Sequence, residues 1–178
     1  TFDLVQKYAA DTAFGGYREM FLRDWKPRPG GPSGGDRKSF DVHMHLMEAF
    51  TTLYELTGEE QHRQALREVA ELIWTRMVDP VTGAGISMFR PDWTPIANVE
   101  LDTVWGSDRF AREKTPSITS YGHNVELGWL YLHALDVLGI PWQAQRARVE
   151  RTFRHTLEHG VDWAHGGLWV EGERDGGP

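Results

Sequence analysis

The stretch SFDVHMHLMEAF, Ser39 to Phe50, supports two readings that imply different folds. As Asp-x-His-x-His at a strand end, Asp41, His43 and His45 would converge on one metal ion, as in a metal-dependent hydrolase. As a helix, the 3.6-residue period sends His43 to nearly the opposite face from His45, and the two cannot grip one metal. Leu46, Ala49, Phe50, Leu53 and Tyr54 follow helical spacing, and no apolar strand precedes Asp41. The helix reading is therefore adopted. On it, Asp41, His45, Glu48, Thr52 and Glu55 fall within roughly 80° of one another. Asp41 and His45 are expected to point together into an enclosed place, and His43 to be a satisfied core or interhelical histidine.

Working outward, this helix ends near Thr57, where Gly58 is a natural C-cap. Glu59 and Glu60 suit the first turn of a second helix that runs to about Met77. A third is expected from about Ser120 to Leu138, stopped by Gly139-Ile140-Pro141. A fourth runs from about Trp142 to His159 and is closed by Gly160. A short helix-like pattern opens the chain, up to about Phe14. KPRPGGPSGGDRK (Lys26 to Lys38) is a Gly/Pro loop, and it lacks the Gly-Lys-Ser/Thr spacing of a phosphate cradle. DPVTGAG (Asp79 to Gly85) reads as a turn, ISMFRPDWTPI beyond it as a short β-hairpin arm or extended loop, and Asn98 to Ser117 as a polar connection. The last stretch, VDWAHGGLWVEGERDGGP, reads as a Gly-rich loop.

The helices are of two kinds. Residues 61–77 and 142–159 are one-sided, with Leu66, Val69, Ala70, Ile73 and Met77 forming one stripe of the former. The helix at 120–138 is apolar nearly all round, as though enclosed on every side, and the one at 40–57 adds a narrow polar stripe. Enclosed helices alternating with one-sided ones suit concentric rings. An all-α barrel or toroid is expected, with inner helices at 40–57 and 120–138.

The bulk properties exclude several functions. A net charge of −7 and a pI near 5.6 offer no basic stripe for nucleic acid or an anionic membrane surface. With no cysteines, disulfides, thiol nucleophiles and Cys-zinc sites are excluded, and a reducing, cytoplasmic location is expected. No apolar run is long enough to span a bilayer. Eight tryptophans and eight phenylalanines are a high aromatic load. Core filling explains most of it, although an indole also suits the apolar face of a pyranose.

SYGHNVELGW (Ser120 to Trp129) repeats the pattern of the opening stretch. His123 and Glu126 sit at i and i+3 near a helix start, as His45 and Glu48 do. One such pair alone reads as a capping box or a surface contact. Two copies on the two least surface-like helices point instead to a shared lumen, where buried polar groups need partners such as sugar hydroxyls. Histidine titrates near neutrality and can take and return a proton, which suits proton abstraction next to a carbonyl. Two carboxylates could also cleave a glycosidic bond, the second reading. A non-catalytic helical scaffold that binds a partner or dimerises through an exposed half-barrel face is the third.

GGY at 15–17, RDWKP at 23–27, HMHLMEAFTTLYELTG, MFRPDWTP, SYGHNVELGWL and GGLWVEG resemble, in order, segments of the N-acylglucosamine 2-epimerase family, including its cellobiose 2-epimerases and mannose or aldose-ketose isomerases. The resemblance implies an (α/α)6 barrel. It also implies cofactor-free and metal-free proton transfer at C2 of an opened reducing sugar through a cis-enediolate. It would make His123 a general acid/base with Glu126 as its carboxylate neighbour and His45 a further active-site histidine. Trp129 would line the sugar site, with Asp41 and Glu48 binding substrate. Asp41 stands where many relatives carry asparagine. The family's second catalytic histidine and an upstream arginine have no counterpart here; Arg23 and His165 are poor substitutes. Residues 1–178 are therefore expected to form about half of one barrel domain, an internal piece inactive by itself. In the loop DWAHGGLWVEG, Trp163 is expected to pack and Trp169 is left open between packing and sugar contact.

Overall fold

The computed structural model describes residues 1–31, 34–97 and 115–176. Helix α1 (Phe2–Leu4) runs on as a π-helical turn, Val5–Ala9. Helix α2 is Phe40–Thr57, and α3 is Glu60–Leu72 continued by a second π-helical turn, Ile73–Met77. Helix α4 is Tyr121–Val137, and a 3-10 turn, Trp142–Gln145, leads into α5, Arg146–His159. Four short strands accompany them: β1 (Lys38–Ser39), β2 (Met88–Phe89), β3 (Ile118–Ser120) and β4 (Glu171–Glu173). Strands β1 and β2 pair antiparallel, as do β3 and β4.

Helices α2 and α4 lie side by side, α3 packs on α2 and α5 on α4, so the helices form a two-layer arc. One core fills it: Met44, Met47 and Phe50 from α2 meet Leu66, Val69 and Ile73 from α3 and Leu127, Leu130 and Ala134 from α4. Each large side chain so buried contributes about 1.5–3 kcal/mol before conformational entropy is charged against it. Gly58 ends α2 in the left-handed conformation at φ 65° and returns its N–H to the Tyr54 carbonyl, as its sequence position predicts.

A repeated loop follows the helical segments that end at Ala9, Met77 and His159. At Asp11, Asp79 and Asp162 the aspartate Oδ1 accepts two backbone N–H groups from the residues two and three further on. The aspartate N–H then closes the loop on the carbonyl of Gly16, Ala84 or Gly167. After the first two of these loops comes a second shared turn, with Trp25 and Trp93 at φ 64° and 70° and bridges Phe21–Pro27 and Phe89–Pro95. These loops aim the chain at the strands, and β1 and β3 feed directly into the starts of α2 and α4.

Several expectations need correction. The fold is helix-rich rather than purely α: β2 turns back on itself through the Phe89–Pro95 bridge, as the expected hairpin arm would, but it also pairs with β1, and β4 lies inside the stretch read as a Gly-rich loop. Strands of two or three residues are too short for alternation to show. The opening helix ends at Ala9, where the first Asp loop takes over, rather than near Phe14. The adopted helix reading of Asp41-x-His43-x-His45 needs no correction, since Val42 lies in α2. Trp163 does not pack; it is 76% exposed. The connection from Asn98 to Ser117 falls largely outside the described residues. Among the described residues, no helix is long and apolar enough to cross a membrane.

Candidate functional site

The two inner helices start in the same way. Ser39 caps α2 by accepting the Val42 N–H, and Ser120 caps α4 by accepting the His123 N–H. Four residues after each cap, a fully buried side chain ties the helix to an Asp loop. His43 Nε2 accepts the Tyr17 N–H at 2.9 Å, and Asn124 Oδ1 accepts the Gly85 N–H at 2.9 Å. His43 Nδ1 donates to the Ser39 carbonyl at 2.8 Å, so both ring nitrogens are satisfied in the neutral tautomer. Burial pushes its pKa down to about 4, helped by the nearby Lys38 charge and only partly opposed by the Ser39 carbonyl. His43 is therefore the structural histidine that its helix position predicts. Gly16 is required beside it: its φ is +75°, and a Cβ there would come within 2.7 Å of His43 Nε2.

With α2 and α4 set in this way, Asp41, His45, Glu48 and His123 share one polar seam. Asp41 Oδ1 is 3.4 Å from His45 Nε2 and 3.3 Å from His123 Nε2. Glu48 Oε2 is 3.1 Å from His45 Nδ1. The His45 pKa is raised, first by the Glu48 hydrogen bond, against desolvation, and then by the charges of Asp41 and Glu126. Lower on the same seam, Glu55 Oε2 lies 3.8 Å from His133 Nε2.

Above the seam is a cleft of about 500 Å³, lined by Asp41 and His123 together with Glu19, Arg37, Ser120 and Glu171. Glu19 accepts from the Arg37 guanidinium and the Ser39 hydroxyl, and the Arg37 and Glu19 side chains are both almost wholly buried. Behind it, Lys38 is fully buried. Its Nζ donates to the Gly15 carbonyl at 2.5 Å and the Pro91 carbonyl at 2.7 Å, and pairs with Asp11 Oδ2 at 2.8 Å.

The structure thus brings Asp41, His45, Glu48 and His123 into direct contact, with Glu126 near enough to bias His45. Trp129 is on the same helix but does not line the cleft, and it is 52% exposed. The expected enclosure is not met: the Asp41, His45 and Glu48 side chains are each about half exposed. Helix α4 is likewise not enclosed: Trp129 and the His123 and His133 side chains stay partly exposed. The sequence reading missed Glu19 and Arg37. Their signal was weak, since the pair joins two loops rather than two positions of one helix. One imidazole flanked by two carboxylates, next to a second imidazole, can hold a proton and pass it to a bound carbon or oxygen at neutral pH.

A model of the N-acylglucosamine 2-epimerase (GlcNAc 2-epimerase) family matches residues 1–178. The cellobiose 2-epimerase of Bacteroides fragilis is 25% identical over 142 residues, which is 78% of this chain and 31% of that protein. Among solved structures, cellobiose 2-epimerase from Bacillus thermoamylovorans B4167 aligns with a TM-score of 0.77 at 22% identity, over 98% of this chain and 41% of that one. A D-mannose isomerase aligns with a TM-score of 0.73 at 18% identity, over 99% and 42%. The chain therefore spans about a third of that curated relative and about two fifths of these two solved chains.

Proposed function

Because the chain belongs to the N-acylglucosamine 2-epimerase family, we propose that its whole protein is a carbohydrate epimerase or isomerase acting at C2 of a reducing sugar. The barrel would be an (α/α)6 toroid to which this chain contributes about half. The observation that carries the reading is the convergence of Asp41, His45 and His123 at the paired starts of α2 and α4.

In this mechanism the sugar opens to its aldehyde. One imidazole removes the C2 proton, which leaves a cis-enediolate, or the neutral cis-enediol where the carbonyl oxygen also gains a proton. Protonation of C2 from the opposite face, with the C1 carbonyl restored, produces the epimer. Protonation at C1, with the carbonyl formed at C2, produces the ketose. His123 and His45 are the acid/base groups, and Glu126 steadies the imidazole charge. Asp41 and Glu48 accept hydrogen bonds from sugar hydroxyls. No metal is needed for these steps, because histidine titrates where the reaction runs.

The test is a product panel. The whole protein is incubated with glucose, mannose, fructose and cellobiose in the presence of a chelator, and NMR follows new sugars. A C2 epimer or the matching ketose is the expected product. Unchanged sugars across the panel, from a folded protein, would overturn the reading.

A further inference from the structure

We propose that Asp41 is a positioning residue shared by the two histidines, and that its single carboxylate couples them, so that a proton taken up by one ring disfavours a proton on the other. This rests on the reading of His45 and His123 as acid/base groups, but its geometry stands by itself. A single oxygen, Asp41 Oδ1, lies 3.4 Å from His45 Nε2 and 3.3 Å from His123 Nε2. One carboxylate charge therefore serves two rings on two helices. Protonating either ring consumes most of that charge and places a cation beside the other, so the second proton binds less readily than the first.

The first proton has a preferred home. His45 also meets Glu48 through Nδ1 at 3.1 Å, so both of its ring nitrogens face carboxylates. Glu126 adds negative potential from α4. The remaining charged groups around the cleft are Glu19 and Arg37, already locked to each other, and Glu171 from β4. His45, with carboxylates at both ring nitrogens, is thereby the better placed of the two rings to hold the shared proton. A proton transfer at carbon needs an acid and a base present together. A neutral amide at position 41 would keep the spacing but release the coupling.

The experiment follows histidine ring NMR signals through a pH titration of the whole protein without sugar, with His45 and His123 assigned by their His→Gln variants. In Asp41→Asn both midpoints are expected to fall. In Glu48→Gln the His45 midpoint falls, and that of His123 does not. His45→Gln raises the His123 midpoint when Asp41 is intact, and raises it less in the Asp41→Asn background. Folding is monitored by circular dichroism, and the His45→Gln arm tests the coupling without altering Asp41. A His123 midpoint unmoved by both Asp41→Asn and His45→Gln would overturn the proposal. Because no sugar is present, that outcome is separate from failure of the product panel, which would instead remove the epimerase reading.

Discussion

His43 and His45 stand two residues apart on one helix, and the structure treats them in opposite ways. His43 faces inward, has no solvent, is satisfied by the Ser39 carbonyl and the Tyr17 N–H, and is held neutral down to about pH 4. His45 faces the seam between α2 and α4, meets carboxylates at both ring nitrogens, and has its pKa raised above the ordinary histidine value. A hundred degrees per residue separates a structural histidine from a chemical one. The same contrast runs through the site. Its inner side is tied by saturated buried polar groups, and its open side carries groups left for something else to satisfy.

The contrast can be broken most severely at Lys38. Lys38→Ala leaves Asp11 buried and unpaired, and should cost about 3–5 kcal/mol in denaturant unfolding. Asp41→Ala on the open face should stay within about 1 kcal/mol, because its ion pairs are solvent-screened. Equal losses at the two positions would erase the distinction.

Acid stability sharpens the same comparison. The native state of His43 binds its proton later than the unfolded chain does, with a pKa of about 4 against 6.5. Its contribution is therefore present above the ordinary value and lost as pH falls through the window between the two. The loss is about 3 kcal/mol for a shift of this size. The stability difference between wild type and His43→Gln, measured at successive pH values, should shrink by that amount over the window.

His45 should show the opposite sign and a smaller effect. Its folded pKa is raised, so its contribution is complete below the ordinary histidine value and disappears as pH rises through the folded one. The difference between wild type and His45→Gln should vanish at alkaline pH and weaken with added salt. The smallest effect is expected at Trp163, whose exposed ring makes Trp163→Ala neutral to within about 0.5 kcal/mol in thermal melts.

Much of this was legible in the sequence. Leu46, Ala49, Phe50 and Leu53 make α2 a helix by spacing alone, Gly58 ends α2 in the left-handed conformation, and Gly160 ends α5 where a Cβ would run into the Tyr121 ring. Asp41, His45, His123 and Glu126 stood out because charged groups on an otherwise apolar helix need a reason. Of the strands only β2 was foreshadowed, inside the stretch read as a hairpin arm; β1, β3 and β4 are too short to carry a period and arise from pairing across distant segments. The repeated loop had a signal: DTAFGG, DPVTGA and DWAHGG share an Asp-x-x-x-Gly spacing, and FLRDWKP matches FRPDWTP. The enclosure of the seam was read from apolar composition, yet composition reports what a helix can pack against, not which neighbours lie within these residues.

The most direct test of proton transfer at C2 is deuterium exchange in D2O. The whole protein and its His123→Ala variant are incubated with the sugar that the product panel identifies, and NMR follows deuterium at C2. The account predicts incorporation by the wild type, and in the variant a rate lower by about 10²–10⁴-fold with its fold unchanged. Product formed without deuterium at C2, or exchange that persists undiminished in His123→Ala, would contradict it.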